Sequence, residues 1–129
     1  MSEENLYGID QSFKNISNFT VVERDGEYKV KPPKAIMPTC AKERIFFVRK
    51  CIDNGLSFLG GLNMVLAYDE EESRKDFIIG LLPGDWIPVT EEFKQWRDEP
   101  CVFREAEIAV ALLYGTCIGV TEWKKNMWN

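Results

Sequence analysis

Residues 60–86 read GGLNMVLAYDEEESRKDFIIGLLPGDW, and the fold assignment starts from this stretch. Leu62, Met64, Leu66 and Tyr68 alternate with Asn63, Val65 and Ala67, a period near two that predicts a strand. The following Asp69-Glu70-Glu71-Glu72-Ser73 is too charged to bury and predicts a solvated turn. Residues 77–82 form a compact apolar run that predicts a second strand. Proline fixes its own φ and lacks the donor a central strand needs, while glycine tolerates positive φ, so Pro83-Gly84-Asp85 predicts a tight corner.

The flanks extend this pattern. Phe13, Ile16 and Phe19 are spaced three apart, which predicts a short helix within residues 1–20. Val21 and Val22, the polar run Glu23-Arg24-Asp25-Gly26-Glu27, and Tyr28 to Val30 predict strand, turn and strand. Pro32-Pro33 ends the second of these, and Ala35-Ile36-Met37 can pair only briefly or at an edge. Residues 45–51 are expected as an apolar strand, Asp53-Asn54-Gly55 as a turn, and residues 56–59 as its returning partner. Thr90, with Glu91 and Glu92 behind it and Phe93 and Trp96 three apart, predicts a short capped helix that Asp98-Glu99-Pro100 terminates.

Composition excludes several functions. A chain of 129 residues with 45% hydrophobic side chains corresponds to one domain over residues 1–129 with an ample core. No apolar run approaches the roughly 20 residues that span a bilayer, and the opening MSEENLYGID does not resemble a secretory leader. A cytoplasmic location is therefore expected. The net charge of −5 repels a phosphate backbone, so DNA binding by this chain alone is not expected. Histidine is absent, which removes Ser-His-Asp and Cys-His nucleophile pairs, histidine-ligated metals and imidazole acid–base steps. With no grouped acid–base signature, the chain is not expected to be an enzyme, and no metal or cofactor is expected. Cys40, Cys51, Cys101 and Cys117 form no Cys-x-x-Cys pair, and their spacing suits neither zinc nor an iron–sulfur cluster. Cys101 and Cys117 read as small core hydrophobes. Cys40 and Cys51 flank a predicted strand and could oppose one another across a turn as a redox-sensing dithiol.

The order of glycine, strand, acidic turn, strand and Pro-Gly-Asp-aromatic corner resembles the sensor domain of the Crp/Fnr superfamily of bacterial transcription regulators. The matching residues are Gly61, Asp69-Glu70-Glu71 and Pro83-Gly84-Asp85-Trp86. Ala109 to Leu112 running into Cys117-Ile118-Gly119-Val120 looks like that family's alanine-rich strand, and Thr121 then caps the start of a dimerisation helix over residues 121–129. The resemblance covers residues 26–125. It implies a mainly β fold, a double-stranded β-helix of the jelly-roll or cupin-like β-roll type, with short flanking helices.

The resemblance also implies a function, with a departure. Cyclic-nucleotide-binding members carry Gly-Glu after the corner and an arginine followed by a small residue. Here Ile87-Pro88-Val89 stands after the corner, and Arg104 precedes Glu105, a carboxylate that would repel a phosphate at close range. A small-molecule effector other than a cyclic nucleotide is therefore expected. Trp86, Phe93, Trp96 and Phe103 are its candidate lining, and Arg104 the candidate partner for a carboxylate. The alternative roles of these residues are core packing for the four aromatics and a surface or salt-bridged place for Arg104. Haem is disfavoured without histidine. The family implies a homodimer through the C-terminal helix, with DNA bound only by a further domain that this chain lacks. The chain is then the sensor half of a transcription regulator; the alternative is a stand-alone roll acting as an interaction or scaffold protein without effector.

Overall fold

The computed structural model describes residues 11–100 and 103–120. Helix α1 covers residues 11–17, followed by β1 (Thr20–Arg24), β2 (Glu27–Lys31) and β3 (Ala35–Pro38). Five helices come next: α2 (Thr39–Asp53), α3 (Phe58–Leu66), α4 (Glu70–Ile79), α5 (Glu91–Arg97) and α6 (Arg104–Tyr114). Strand β4 (Cys117–Val120) is last. Among the described residues helix accounts for 55% and strand for 17%, so the expected mainly β jelly roll is corrected to a helical fold with two small two-stranded sheets.

The correction has a local cause in each element. In α2 the buried side chains are Ala41, Arg44, Ile45, Val48 and Cys51, three or four apart as one helical face requires. The apolar run 45–51 expected as a strand is part of that face. Residues 56–59 do not pair back; they lead into α3, where the Ser57 hydroxyl caps the helix by accepting from the Gly60 N–H at 3.0 Å. Within α3, Gly61, Met64 and Val65 are buried, a helical spacing that overrides the alternation counted over residues 62–68. Gly61 is where α3 approaches α2, since a Cβ there would lie 2.7 Å from Ile52 Cδ1.

The acidic run is the first turn of a helix. Asp69 is the N-cap of α4 and accepts from the Glu72 N–H at 3.2 Å, with Glu70, Glu71 and Glu72 against the positive end of the helix dipole. The run 77–82 expected as a strand is split between the last turn of α4 and the loop beyond it, with Phe77 its buried anchor. Gly84 takes a φ of +84°, so the Pro-Gly-Asp corner does turn the chain. Residues 109–112 lie inside α6, and of that expected alanine-rich strand only residues 117–120 are extended.

Other expectations match. Helix α5 forms with Thr90 as N-cap, its hydroxyl accepting from the Phe93 N–H at 3.1 Å. Helix α1 forms too, but its buried face is Ser12 and Asn15 while Phe13 is exposed. Strands β3 and β4 pair in parallel, Ala35 opposite Cys117 and Met37 opposite Gly119, with the five helices α2–α6 as the connection. The other edge of β3 is met by Asn15, whose amide accepts from the Ile36 N–H at 2.9 Å and donates to the Ile36 carbonyl at 3.0 Å. Ala35, Met37, Ile45, Val48, Val65, Phe93, Trp96, Ile108 and Leu112 form the core between this sheet and the helices. Among the described residues no helix is long and apolar enough to cross a membrane.

Candidate functional site

Of the five residues expected to hold an effector, Trp86, Phe93, Trp96 and Arg104 lie in or against the core and Phe103 does not. Phe93 and Trp96 are each 1% exposed and pack against one another with centroids 5.9 Å apart. Trp86 is half-buried against Phe47 and Phe77, at 6.0 and 5.8 Å. The Arg44 guanidinium lies between Trp86 and Phe93, at 4.8 and 5.6 Å from their rings, and the Arg104 guanidinium covers Trp96 at 4.3 Å. Phe77, Trp86, Arg44, Phe93, Trp96 and Arg104 thus form one continuous cation–aromatic ladder. Phe103 stands apart from it, beside Phe13 of α1 at 6.0 Å.

The arginines of this ladder have partners within the chain. Helix α3 ends with carbonyls that have no partner inside the helix. Arg44 donates to three carbonyls: Nε to Val65 at 2.8 Å, Nη2 to Met64 at 2.9 Å and Nη1 to Ile87 at 2.6 Å. Arg97 donates to the next two, Leu66 at 2.7 Å and Ala67 at 3.2 Å, and forks onto Asp98. Two cations therefore cap the negative end of α3, a favourable placement for a helix dipole. Burial is the main reason that the Arg44 pKa is pushed down to about 10.

Arg104 is neither at the surface nor free. It donates to Glu107 at 2.9 Å and to Glu99 at 3.2 Å, and Glu107 also accepts from the Asn15 amide at 2.7 Å. Burial raises the Glu107 carboxyl above its ordinary range and outweighs the opposing pull of Arg104, Asn15 and Ser12. Glu70 goes the other way. Burial raises it, but the Val89 and Trp86 N–H donors and the Arg44 charge together bring it below the ordinary value. Trp96 Nε1 and Arg104 Nε have no hydrogen-bond partner among the described residues.

The proposed thiol pair is corrected as well. Cys40 and Cys51 lie on one helix, eleven residues apart, which places their backbones about 16 Å from each other at the helical rise. A disulfide needs Cα atoms within about 7 Å. Burial, with a hydrogen bond to Glu92 and that residue's charge, pushes the Cys40 thiol up to about 12, and burial raises Cys51 and Cys117 as well. Cys101 and the expected dimerisation helix over residues 121–129 lie outside the described residues. Among those described, no group of three or more Cys, Asp or Glu side chains is placed to hold a metal ion.

The feature that the core does not absorb is the β1–β2 hairpin. All ten strand residues are exposed. The turn is Asp25-Gly26, with φ of +54° and +79°, the left-handed pair of a two-residue type I′ turn. Val21 stands opposite Val30, and Glu23 opposite Tyr28. Directly opposed residues share a sheet face, so Val21, Tyr28 and Val30 form one apolar face with Glu23 at its end. These three are 67%, 74% and 64% exposed. The opposite face carries Thr20, Val22, Arg24, Glu27, Lys29 and Lys31. The sequence signal was present in Asp25-Gly26 and the alternating apolar residues around it, but nothing in the pattern told that none of the described helices would cover either face.

No protein-family model matches the chain, and no curated protein or solved structure matches it.

Proposed function

We propose that this chain is an interaction protein that works by docking another chain onto its β1–β2 hairpin arm. The observation that carries this reading is an apolar sheet face, Val21, Tyr28 and Val30, left open to water on a two-stranded arm. An isolated hairpin is marginal in water, and a third strand or a packed face is what makes such a unit stable. Exposed edge strands are also templates for pairing with a further strand. The arm is therefore built to be completed by a partner. The stand-alone interaction role needs no roll. The effector-sensing role drew on strands over residues 62–68 and 77–82, which instead run from α3 and α4 into the loops after them, and on aromatics of which α5 carries Phe93 and Trp96 into the core.

A photo-crosslinking amino acid in place of Tyr28 tests this directly in cells that express the chain. A discrete adduct at position 28, absent when the same group replaces the exposed Leu113 of α6, is expected. No adduct beyond that seen at position 113 overturns the docking role.

A further inference from the structure

The pairing rules of the hairpin say which of its edges a partner strand can use. Arg24 and Glu27 flank the two-residue turn, and the turn's own i to i+3 bond closes that pair. Pairs in an antiparallel ladder alternate between bonded and non-bonded, so Val22 with Lys29 and Thr20 with Lys31 are the next bonded pairs. Tyr28 and Val30 then present their N–H and C=O groups away from β1. They are the two free rungs of the β2 edge.

We propose that β2 pairs with the β2 of a second copy of this chain, antiparallel about a two-fold axis at Lys29, giving a four-stranded sheet across the dimer. This rests on the docking role of the arm and names its partner. In that register Tyr28 exchanges both backbone bonds with the partner's Val30, and Val30 does the same with the partner's Tyr28. Both free rungs are used twice over. On the charged face Glu27 stands opposite the partner's Lys31, and symmetry repeats the pair, so two opposite-charge pairs flank the axis. The cost is one like-charge pair, Lys29 opposite the partner's Lys29. The opposite face becomes continuous, with Val21, Tyr28 and Val30 of both copies on one side of the sheet.

The other registers repel, pair less of the strand or lack an ion pair. A two-fold at Val30 sets Lys29 against the partner's Lys31 twice, and one at Tyr28 pairs only three residues of each strand. The β1 edge, centred on Val22, places Val21 opposite the partner's Glu23 and Thr20 opposite the partner's Arg24, with no ion pair. The charge balance of the arm also fits a second copy. Arg24, Lys29 and Lys31 match Glu23, Asp25 and Glu27 in number, so the arm is neutral in a chain of net charge −5 and does not repel its own kind.

Sedimentation equilibrium of the full chain tests the register through charge reversal. The wild type is expected to show a concentration-dependent dimer. Glu27→Lys turns both ion pairs into repulsions and weakens the dimer about 10-fold. Adding Lys31→Glu in the same chain restores both pairs with reversed sign and recovers the affinity. The double variant keeps the clash between position 27 and Arg24 within the hairpin, so recovery isolates the contact between copies. A wild type that is monomeric at every concentration, or a double variant no tighter than Glu27→Lys, overturns the self-pairing. Should a Tyr28 crosslink then join a different protein, self-pairing falls while the docking role stands; with no Tyr28 adduct at all, both fall.

Discussion

Replacing Arg44 by methionine keeps most of the aliphatic stem and removes the fork that caps α3. Three carbonyls, of Met64, Val65 and Ile87, lose their donor at once. The Met64 and Val65 carbonyls are buried and that of Ile87 partly so; at about 1 to 3 kcal/mol for each buried acceptor left unpaired, with the lower end for Ile87, about 5 kcal/mol is lost. Against this stands the cost of holding a charge in the core. The pKa of Arg44 is pushed down from 12.5 to about 10, chiefly by burial, which corresponds to about 3 kcal/mol at 1.36 kcal/mol per pH unit. Methionine recovers that cost. The lost stacking on Trp86 and Phe93 adds about 1 kcal/mol to the penalty, and the net expectation for Arg44→Met is a loss of about 3 kcal/mol. Arg44→Lys keeps the buried charge but not the planar fork, so it is expected to destabilise at least as much as methionine. Equilibrium unfolding in urea, followed by tryptophan fluorescence at constant m-value, measures both. An Arg44→Met chain within about 1 kcal/mol of wild type refutes the capping role.

Two of the perturbed carboxylates, Glu70 and Glu107, predict pH dependences of opposite sign. Glu70 titrates below its ordinary value near 4.5 in the folded chain, so its contribution is present above that pH and is lost as pH falls; the stability gap between wild type and Glu70→Gln should shrink on acidification. Glu107 titrates above 4.5 in the folded chain, which means that the folded state takes up its proton first. Wild type should therefore gain stability relative to Glu107→Gln as pH is lowered towards 4.5, and unfolding curves with the same trend for both variants contradict the assignment. At pH 8 a Cys40 thiol with a pKa of about 12, against an ordinary 9.0, has about a thousandth of the usual thiolate, so mapped alkylation should be slower at Cys40 by that order. A rate equal to that of a small-molecule thiol contradicts the burial of its sulfur beside Glu92.

Sequence patterns located the elements whose signals are local. Thr90 with two glutamates behind it and aromatics three apart specified α5, and the polar run Glu23 to Glu27 located the hairpin turn, which is narrower than that run because Glu23, Arg24 and Glu27 belong to the strands. The residues behind the β-roll assignment were ambiguous because apolar runs in small cores fit either period. Residues 45–48 are all apolar, with Arg49 and Lys50 before Cys51, and only the longer window, with Ala41 and Arg44 on the same face, distinguishes a helix buried against several neighbours from a strand. Asp69 with Glu72 three residues on is an N-terminal capping pattern, but the density of charge made it look like a turn. Arg104 among Glu105 and Glu107 suggested a surface or salt-bridged residue, and it is the salt-bridged one, paired with Glu99 and with the fully buried Glu107 one helical turn away; its burial had no local signal. The parallel pairing of β3 with β4 joins residues about eighty apart in the chain, a contact with no local signal at all. The apolar face of the hairpin was legible as alternation, while its exposure depends on where the helices pack.

Residue-resolved amide hydrogen exchange on the full chain, at low and high protein concentration, tests the role of the β2 edge most directly. Tyr28 and Val30, whose N–H groups point away from β1, should exchange as open amides when dilute and become protected as concentration rises. Lys29 and Lys31, bonded within the hairpin, should change less. Tyr28 and Val30 exchanging at the open rate at every concentration would contradict the pairing of two arms.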